Sequence, residues 1–250
     1  MRHLVRHLGH YDKYLIAPRG SRVRFDGFAV RHFSRKYFGS MRAHSRLLYW
    51  PGFYRAFEDY KYILMYHLDA LVFRDELLQW CETDVDYVGA PFIPCADTPL
   101  VKEPRVGNGG FALMKVETIL KVLHERHRRE PVRYWEDRLA GLVSLTQRAL
   151  RQPRRMVPPW LRGSLTQPLR NGLQRVDEIE VNVRNNDVFW SYHAQDYVPE
   201  FKIPDWQTGL RFAFEAGPRH CFELNGRKLP FGCHAWPKFD RAFWEPYLLK

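Results

Sequence analysis

Four short segments carry side chains that could do chemistry together. The first is Tyr62-Ile63-Leu64-Met65-Tyr66-His67-Leu68-Asp69-Ala70-Leu71-Val72-Phe73, an apolar run that holds one carboxylate and then turns apolar again. An ionised carboxylate in the middle of a buried strand is costly unless a cation or hydrogen bonds offset the desolvation. The run is therefore expected to break at Asp69, with the acid turned toward a site. The end of a strand is where open α/β sheets bind ligands. One carboxylate there can hold a divalent cation that takes its remaining ligands from water and substrate phosphates. His67 shares the face of Asp69 if the strand stays regular. The competing readings are a turn cap for Asp69 and a packed ring for His67; function is favoured for Asp69, and packing for His67 taken alone.

The second segment is Gly107-Asn108-Gly109-Gly110. Three glycines in four residues permit positive φ and close approach of a ligand to the backbone. Successive amides there could form a nest for an anion or for sugar hydroxyls, although a plain tight turn explains the glycines as well. The third is Asn186-Asp187 before Val188-Phe189-Trp190, where Asp187 opens a helix. Helix capping competes with a role as general base toward an acceptor hydroxyl. The fourth is Gly232-Cys233-His234 within Pro230–Trp236. An imidazole flanked by glycine and aromatics in an irregular stretch could complete a metal site or bond a diphosphate.

The elements around these segments alternate between strand and helix, which predicts an α/β chain. Residues 1–10 read as the end of a helix and Tyr14–Ala17 as a short strand stopped by Pro18-Arg19-Gly20. Phe25–Tyr37 has no clear period. Ser40–Tyr60 reads as helix in two pieces, divided at Pro51-Gly52. Asp75–Trp80 is expected to be a short helix and Tyr87–Pro91 a strand. Residues 94–105 read as a loop, Gly109–Met114 as a strand leaving a glycine turn, and Val116–Arg128 as a helix with Val116, Ile119, Leu120 and Leu123 on one side. Residues 129–180 are rich in Arg and Pro and read as a basic inserted segment in a single domain of residues 1–250. That insertion is either a solvated excursion or a contact with anionic lipid or a lipid-linked acceptor.

With 250 residues, 45% hydrophobic and 15% aromatic, the chain can bury a full single-domain core. No apolar run reaches transmembrane length. The four cysteines, Cys81, Cys95, Cys221 and Cys233, form no CxxC pair, so metal-binding cysteine spacing is absent and reduced thiols are expected. The net charge of +11 favours anionic partners in general. No basic and aromatic module of a nucleic-acid binder is present, so no nucleic acid is expected as a partner.

Taken in order, YILMYHLDALVFRDELLQWC, DYVGAPF, VGNGGFALMK, NNDVFWS and LPFGCHAW…FWEPY resemble an uncharacterised glycosyltransferase-like domain family related to GT-A nucleotide-sugar glycosyltransferases. The resemblance covers residues 44–124 and 182–247. It implies a GT-A-like, doubly wound, mainly parallel sheet flanked by helices, here lacking the first strand, which cradles the nucleotide base in that family. It implies donor-binding roles for His67, Gly107, Asn108, Gly109 and Gly110. Asp69 and His234 would be metal ligands for Mn2+ or Mg2+, and Asp187 the catalytic base of an inverting enzyme. His67 stands where the first acid of an Asp-x-Asp element would be, and Asn186 replaces the common Glu before Asp187. The expected partners are a nucleotide-sugar donor and a carbohydrate or lipid-linked acceptor. Trp190, Trp206 and Trp236 are candidates to stack on sugar rings. The expected setting is cytoplasmic, at the inner face of a membrane, with peripheral membrane contact, and the expected pathway is synthesis of surface polysaccharide or glycoconjugate. Two other classes stay open: a nucleotidyltransferase, and a non-catalytic carbohydrate-binding or scaffold protein with a degenerate donor site.

Overall fold

A computed structural model describes residues 1–130 and 186–249. The basic insertion expected at 129–180 lies outside the described residues from 131 onward. In chain order the elements are α1 (Arg2–Leu8), β1 (Tyr14–Pro18), β2 (Ala29–Phe33), α2 (Met41–Leu48), α3 (Pro51–Arg55), β3 (Tyr62–Tyr66), β4 (Leu71–Val72), α4 (Leu77–Glu82), β5 (Tyr87–Phe92), β6 (Arg105–Lys115) and α5 (Val116–Arg129). From residue 186 follow α6 (Asn186–Tyr192), α7 (Ala194–Tyr197), α8 (Trp206–Phe212), β7 (Ala213–Phe214), α9 (Pro218–Leu224), β8 (Gly232–Cys233) and α10 (Arg241–Trp244).

The local reasons are conventional. The Ser40 hydroxyl accepts the Ala43 N–H at 3.1 Å and starts α2. Pro51 begins α3, where a missing N–H costs nothing. In β6, side chains alternate between two cores. Ala112 and Met114 face one cluster, built with Tyr54, Ile119, Leu123 and Trp190. Phe111 and Leu113 face another, with Leu4, Leu8, Trp80 and Phe212. Helices therefore cover both faces of this sheet.

The protein is mixed α/β, as its alternating elements predict. The described strands form three small sheets, ordered β1-β2, β3-β6-β5 and β4-β8-β7. Only β1-β2 and β7-β8 pair in parallel; β3-β6, β5-β6 and β4-β8 are antiparallel. The described pairings are thus mostly antiparallel, unlike the mainly parallel sheet that the resemblance implies. One cause is the link from β5 to β6: residues 93–104 form no helix, and without a crossover helix the chain returns antiparallel. The aperiodic stretch before Tyr37 contains β2, missed because its residues Ala29-Val30-Arg31-His32-Phe33 do not alternate.

β4 is set from both ends of the chain. His3 is buried; its Nδ1–H donates to the Val72 carbonyl at 2.9 Å, and its Nε2 accepts the Leu249 N–H at 3.0 Å. The Leu249 bond requires the neutral ring, and burial lowers the His3 pKa against the pull of the Val72 bond.

Trp190 is 1% exposed and packs on Tyr54 and Phe201, so it is a core residue and not a surface platform for a sugar. Trp190→Ala should cost about 3–5 kcal/mol. Equilibrium unfolding in urea checks this; a change below about 0.5 kcal/mol, typical of a surface site, would contradict its placement.

Candidate functional site

The apolar run does break at its acid. β3 ends at Tyr66, and the chain turns through Leu68-Asp69 before β4, closed by the Ala70 N–H to His67 carbonyl bond at 3.0 Å. The turn starts anchored, because the His67 N–H donates to the Gly110 carbonyl at 2.9 Å. A regular strand would have separated these side chains from what lies ahead. The turn instead leaves His67 half-buried and Asp69 46% exposed at its side chain.

His234 arrives from β8. Leu71 and Val72 pair with Cys233 and Gly232, so the residue that follows β8 lies beside the turn that precedes β4. The contact is direct: His234 Nε2 lies 3.4 Å from Asp69 Oδ1. The backbone is bent to allow it. Ala235 sits at φ 51°, a left-handed conformation unusual for a residue with a side chain, and the Trp236 N–H then reaches the Asp69 carbonyl at 3.3 Å. The Trp236 backbone is thereby placed next to Asp69, while its side chain, like that of Trp206, packs against a third cluster that holds Leu210 and Phe214.

Glu215 completes the chain of groups. It follows β7, whose Phe214 pairs in parallel with Cys233, so Glu215 comes into line with His234. Its Oε1 is 3.2 Å from His234 Nδ1. Sequence reasoning missed this residue. A signal was present in Phe212-Ala213-Phe214-Glu215, a short apolar run closed by an acid, the same pattern that marked Asp69.

Asp187 lies in the first turn of α6. Its carboxylate accepts the N–H of Gly109. Burial, then the charge of Glu215, pushes its pKa up to about 6, against the Gly109 bond and His234. His234 moves the other way from most enclosed imidazoles. Burial alone would lower its pKa, but the Glu215 bond and the charges of Glu215, Asp69 and Asp187 prevail and raise it. Burial holds His67 near a pKa of about 4, helped by His234 and His44, so its ring is neutral.

The glycines have a different purpose from the one their spacing suggested. Residues 107–110 are not a turn or a nest of amides; they run inside β6, and none has positive φ. Pairing with β5 slips here, because Gly89 faces Ala112 while Ala90 faces Asn108. Gly109 and Gly110 fall in the resulting bulge, and the Asn108 side-chain oxygen accepts the Gly110 N–H at 2.9 Å to hold it. A Cβ on Gly109 would lie 2.5 Å from Asp187 Oδ1, and one on Gly110 would lie 2.1 Å from His234 Nε2. The missing side chains make room for protein groups. Gly107 accommodates the Phe92 ring, away from the cluster.

His67, Asp69 and His234 offer ligand atoms that all lie within 4.8 Å of one another. The set fits a divalent metal on a further ground: His67 Nε2 is buried and has no hydrogen-bond partner. A neutral imidazole with an unused lone pair is what a cation requires. The second ring nitrogen of His234 bonds a carboxylate, the usual arrangement for orienting a metal-ligating histidine. A cleft of about 530 Å³ lies at the other end of the β4-β8 pair, lined in part by Arg74, Arg211 and Lys228. The Arg74 guanidinium there already donates to the Leu229 and Pro230 carbonyls at 3.1 Å, and the Arg211 guanidinium to Thr208.

With this geometry in hand, the family can be stated. The chain belongs to the family described as protein of unknown function (DUF5672), whose model matches residues 27–234. Every residue of the cluster falls inside that span, and His234 closes it. No curated protein and no solved structure matches the chain. Among the described residues no helix is long and apolar enough to cross a membrane, and all four cysteines are free.

Two outcomes are expected. Gly110→Ala should drive the His234 ring out of place and cost about 1–3 kcal/mol, read by denaturant unfolding; unchanged stability would contradict the close approach. Asp187 holds its proton more tightly folded than unfolded. Its contribution to stability is therefore full at pH below about 4 and is lost as pH rises through about 6. Asp187→Asn should match the parent at pH 4 and be more stable by about 2–3 kcal/mol at pH 8. Thermal unfolding at both values checks this, and a variant less stable at pH 8 would show that the carboxylate is compensated.

Proposed function

We propose that this protein is a glycosyltransferase that moves a sugar from a nucleoside-diphosphate donor to an acceptor hydroxyl with inversion. One observation carries the reading. Two acids and two imidazoles from sequence positions as distant as 67 and 234 converge on one bulge of β6, with a carboxylate whose pKa near 6 suits a base at neutral pH. The GT-A resemblance adds its weight. The resemblance implies roles for an acid after a strand, an acid at a helix start and a C-terminal histidine, and the reading gives these roles to Asp69, Asp187 and His234.

In this reading Asp69, His67 and His234 hold a divalent cation, which when bound neutralises the charge that grows on the departing diphosphate. Asp187 accepts the proton of the acceptor hydroxyl as its oxygen bonds the anomeric carbon. The bond from that carbon to the diphosphate oxygen breaks, and the electron pair leaves on the nucleotide. The Gly109 N–H fixes the carboxylate of Asp187, and Glu215 fixes the His234 ring. Trp206 and Trp236, both partly buried, are the remaining candidates to stack on a sugar. The acceptor is a carbohydrate or a lipid-linked carbohydrate, and the setting is the inner face of a membrane in surface polysaccharide or glycoconjugate synthesis.

A second reading draws on the same charges. His234 lies between Asp69 and Glu215 and satisfies both as an imidazolium, which a non-catalytic carbohydrate-binding or scaffold protein would also use. Calorimetry with a nucleoside diphosphate and Mn2+ separates the two: heat of binding is expected from the transferase, and no heat from the scaffold. Asp187→Asn should abolish sugar transfer while leaving nucleotide affinity within about twofold, and parent activity should rise through pH 6 as Asp187 ionises. Equal loss of transfer and binding in this variant would remove Asp187 from the role of base. Asp69→Ala should weaken metal-dependent nucleotide binding, measured in the same titration.

A further inference from the structure

We infer that the His67-Asp69-His234 cluster is built for a first-row transition-metal dication and discriminates against Mg2+. This rests on the reading of the cluster as a metal site and names which ions it takes. The donor set is two imidazole nitrogens and one carboxylate oxygen. Mg2+ is hard and takes oxygen ligands in near-ideal octahedra, keeping several waters. Imidazole suits iron, nickel, copper and zinc instead, and affinity for such sites climbs from manganese through iron, cobalt and nickel to copper before falling at zinc. Position 67 decides the matter. A carboxylate there would give two oxygens in three donors; the histidine gives two nitrogens.

The surroundings agree with the donor count. His67 Nε2 is buried without a partner, so its lone pair is directed at no proton donor of the protein. His44 packs edge-on against His67 with ring centroids 5.1 Å apart, and His67 packs on His234 at 5.2 Å, so the rings are held by one another and by burial. Glu215 bonds Nδ1 of His234, which leaves Nε2 as the ligating nitrogen, and Nε2 is the atom that faces Asp69. Metal–nitrogen bonds are about 2.0–2.1 Å, so the set must draw in from its present spread, and Asp69, with its side chain 46% exposed, has room to move toward the ion.

The test uses the full chain stripped of metal by a chelator. Co2+ is titrated in and followed by its visible absorption, which reports nitrogen ligation independently of any activity. One equivalent of Co2+ should give the bands, Zn2+ should erase them, and Mg2+ in about hundredfold excess should leave them unchanged. His67→Asp should lose the nitrogen-ligated spectrum and let Mg2+ compete. Glu215→Gln, which keeps the shape of the side chain, should lower Co2+ affinity about 10–100-fold. Unfolding temperature of each variant, measured alongside, separates loss of the site from loss of the fold. Displacement of Co2+ by comparable Mg2+, or an unchanged spectrum in both His67→Asp and His67→Gln, overturns the inference while the metal site stands. A parent chain that binds none of the three ions overturns the metal site itself.

Discussion

The arrangement depends on backbone without side chains at Gly109 and Gly110. A strand through the centre of a sheet normally presents Cβ atoms every residue, and these keep other groups at van der Waals distance. Here a carboxylate and an imidazole press onto the strand itself, at separations no Cβ could survive. The bulge that exposes this stretch is held by Asn108 and lies where β6 lets go of β5, just past the Tyr66–Phe111 pair that ends its ladder with β3. Remove the bulge and the acid-bearing turn, the helix start and the end of β8 have nothing common to meet on.

Electrostatics follows from that crowding. Three carboxylates surround one enclosed histidine, and taking so many like charges out of water is unfavourable unless a positive group compensates. His234 does so by holding a proton to higher pH than a free imidazole, with Asp69 facing one ring nitrogen and Glu215 the other. Asp187, left with a backbone N–H as its partner, resolves the remaining conflict by holding a proton to higher pH. His67 stays neutral because burial penalises its charged form and His234 and His44 oppose a further positive charge, which outweighs Asp69. Two imidazoles about 5 Å apart thus carry opposite protonation habits, set by their neighbours.

Much of this was legible in the residues. Asp69 announced the strand break, because a lone acid in an apolar run has no other comfortable place. Asp187 and His234 stood out for similar reasons: a charge at a helix start, and a ring among glycine and aromatics. The two pieces of helix around Pro51 and the strand at Tyr87 were readable from period and punctuation. What failed had physical causes. The glycine cluster signals a turn when only local backbone freedom is considered; its use as an indentation in a strand depends on groups that arrive from residues 187 and 234. Strand direction is likewise a property of connections, and the loop after Phe92 has no signature that forbids a crossover. Glu215 was passed over because β7 is two residues long, and an apolar run that short before an acid is a weak form of the pattern that marked Asp69. Trp190 looks like a sugar platform in sequence because amphipathic character says nothing of which face the helix buries.

β8 sits between β4 and β7, and each of its two residues is sealed. One of them is Cys233, adjacent to His234, with a thiol that burial keeps protonated far above the usual range. Alkylating reagents act on exposed thiolates, so this sulfur is inert while the small sheet is closed. A two-pair ladder is among the shortest that can hold two strands together, and such units sit at the low end of local stability. The molecule therefore contains its own gauge: the rate at which Cys233 takes up a thiol label measures how often the strands that carry Asp69, Glu215 and His234 part company.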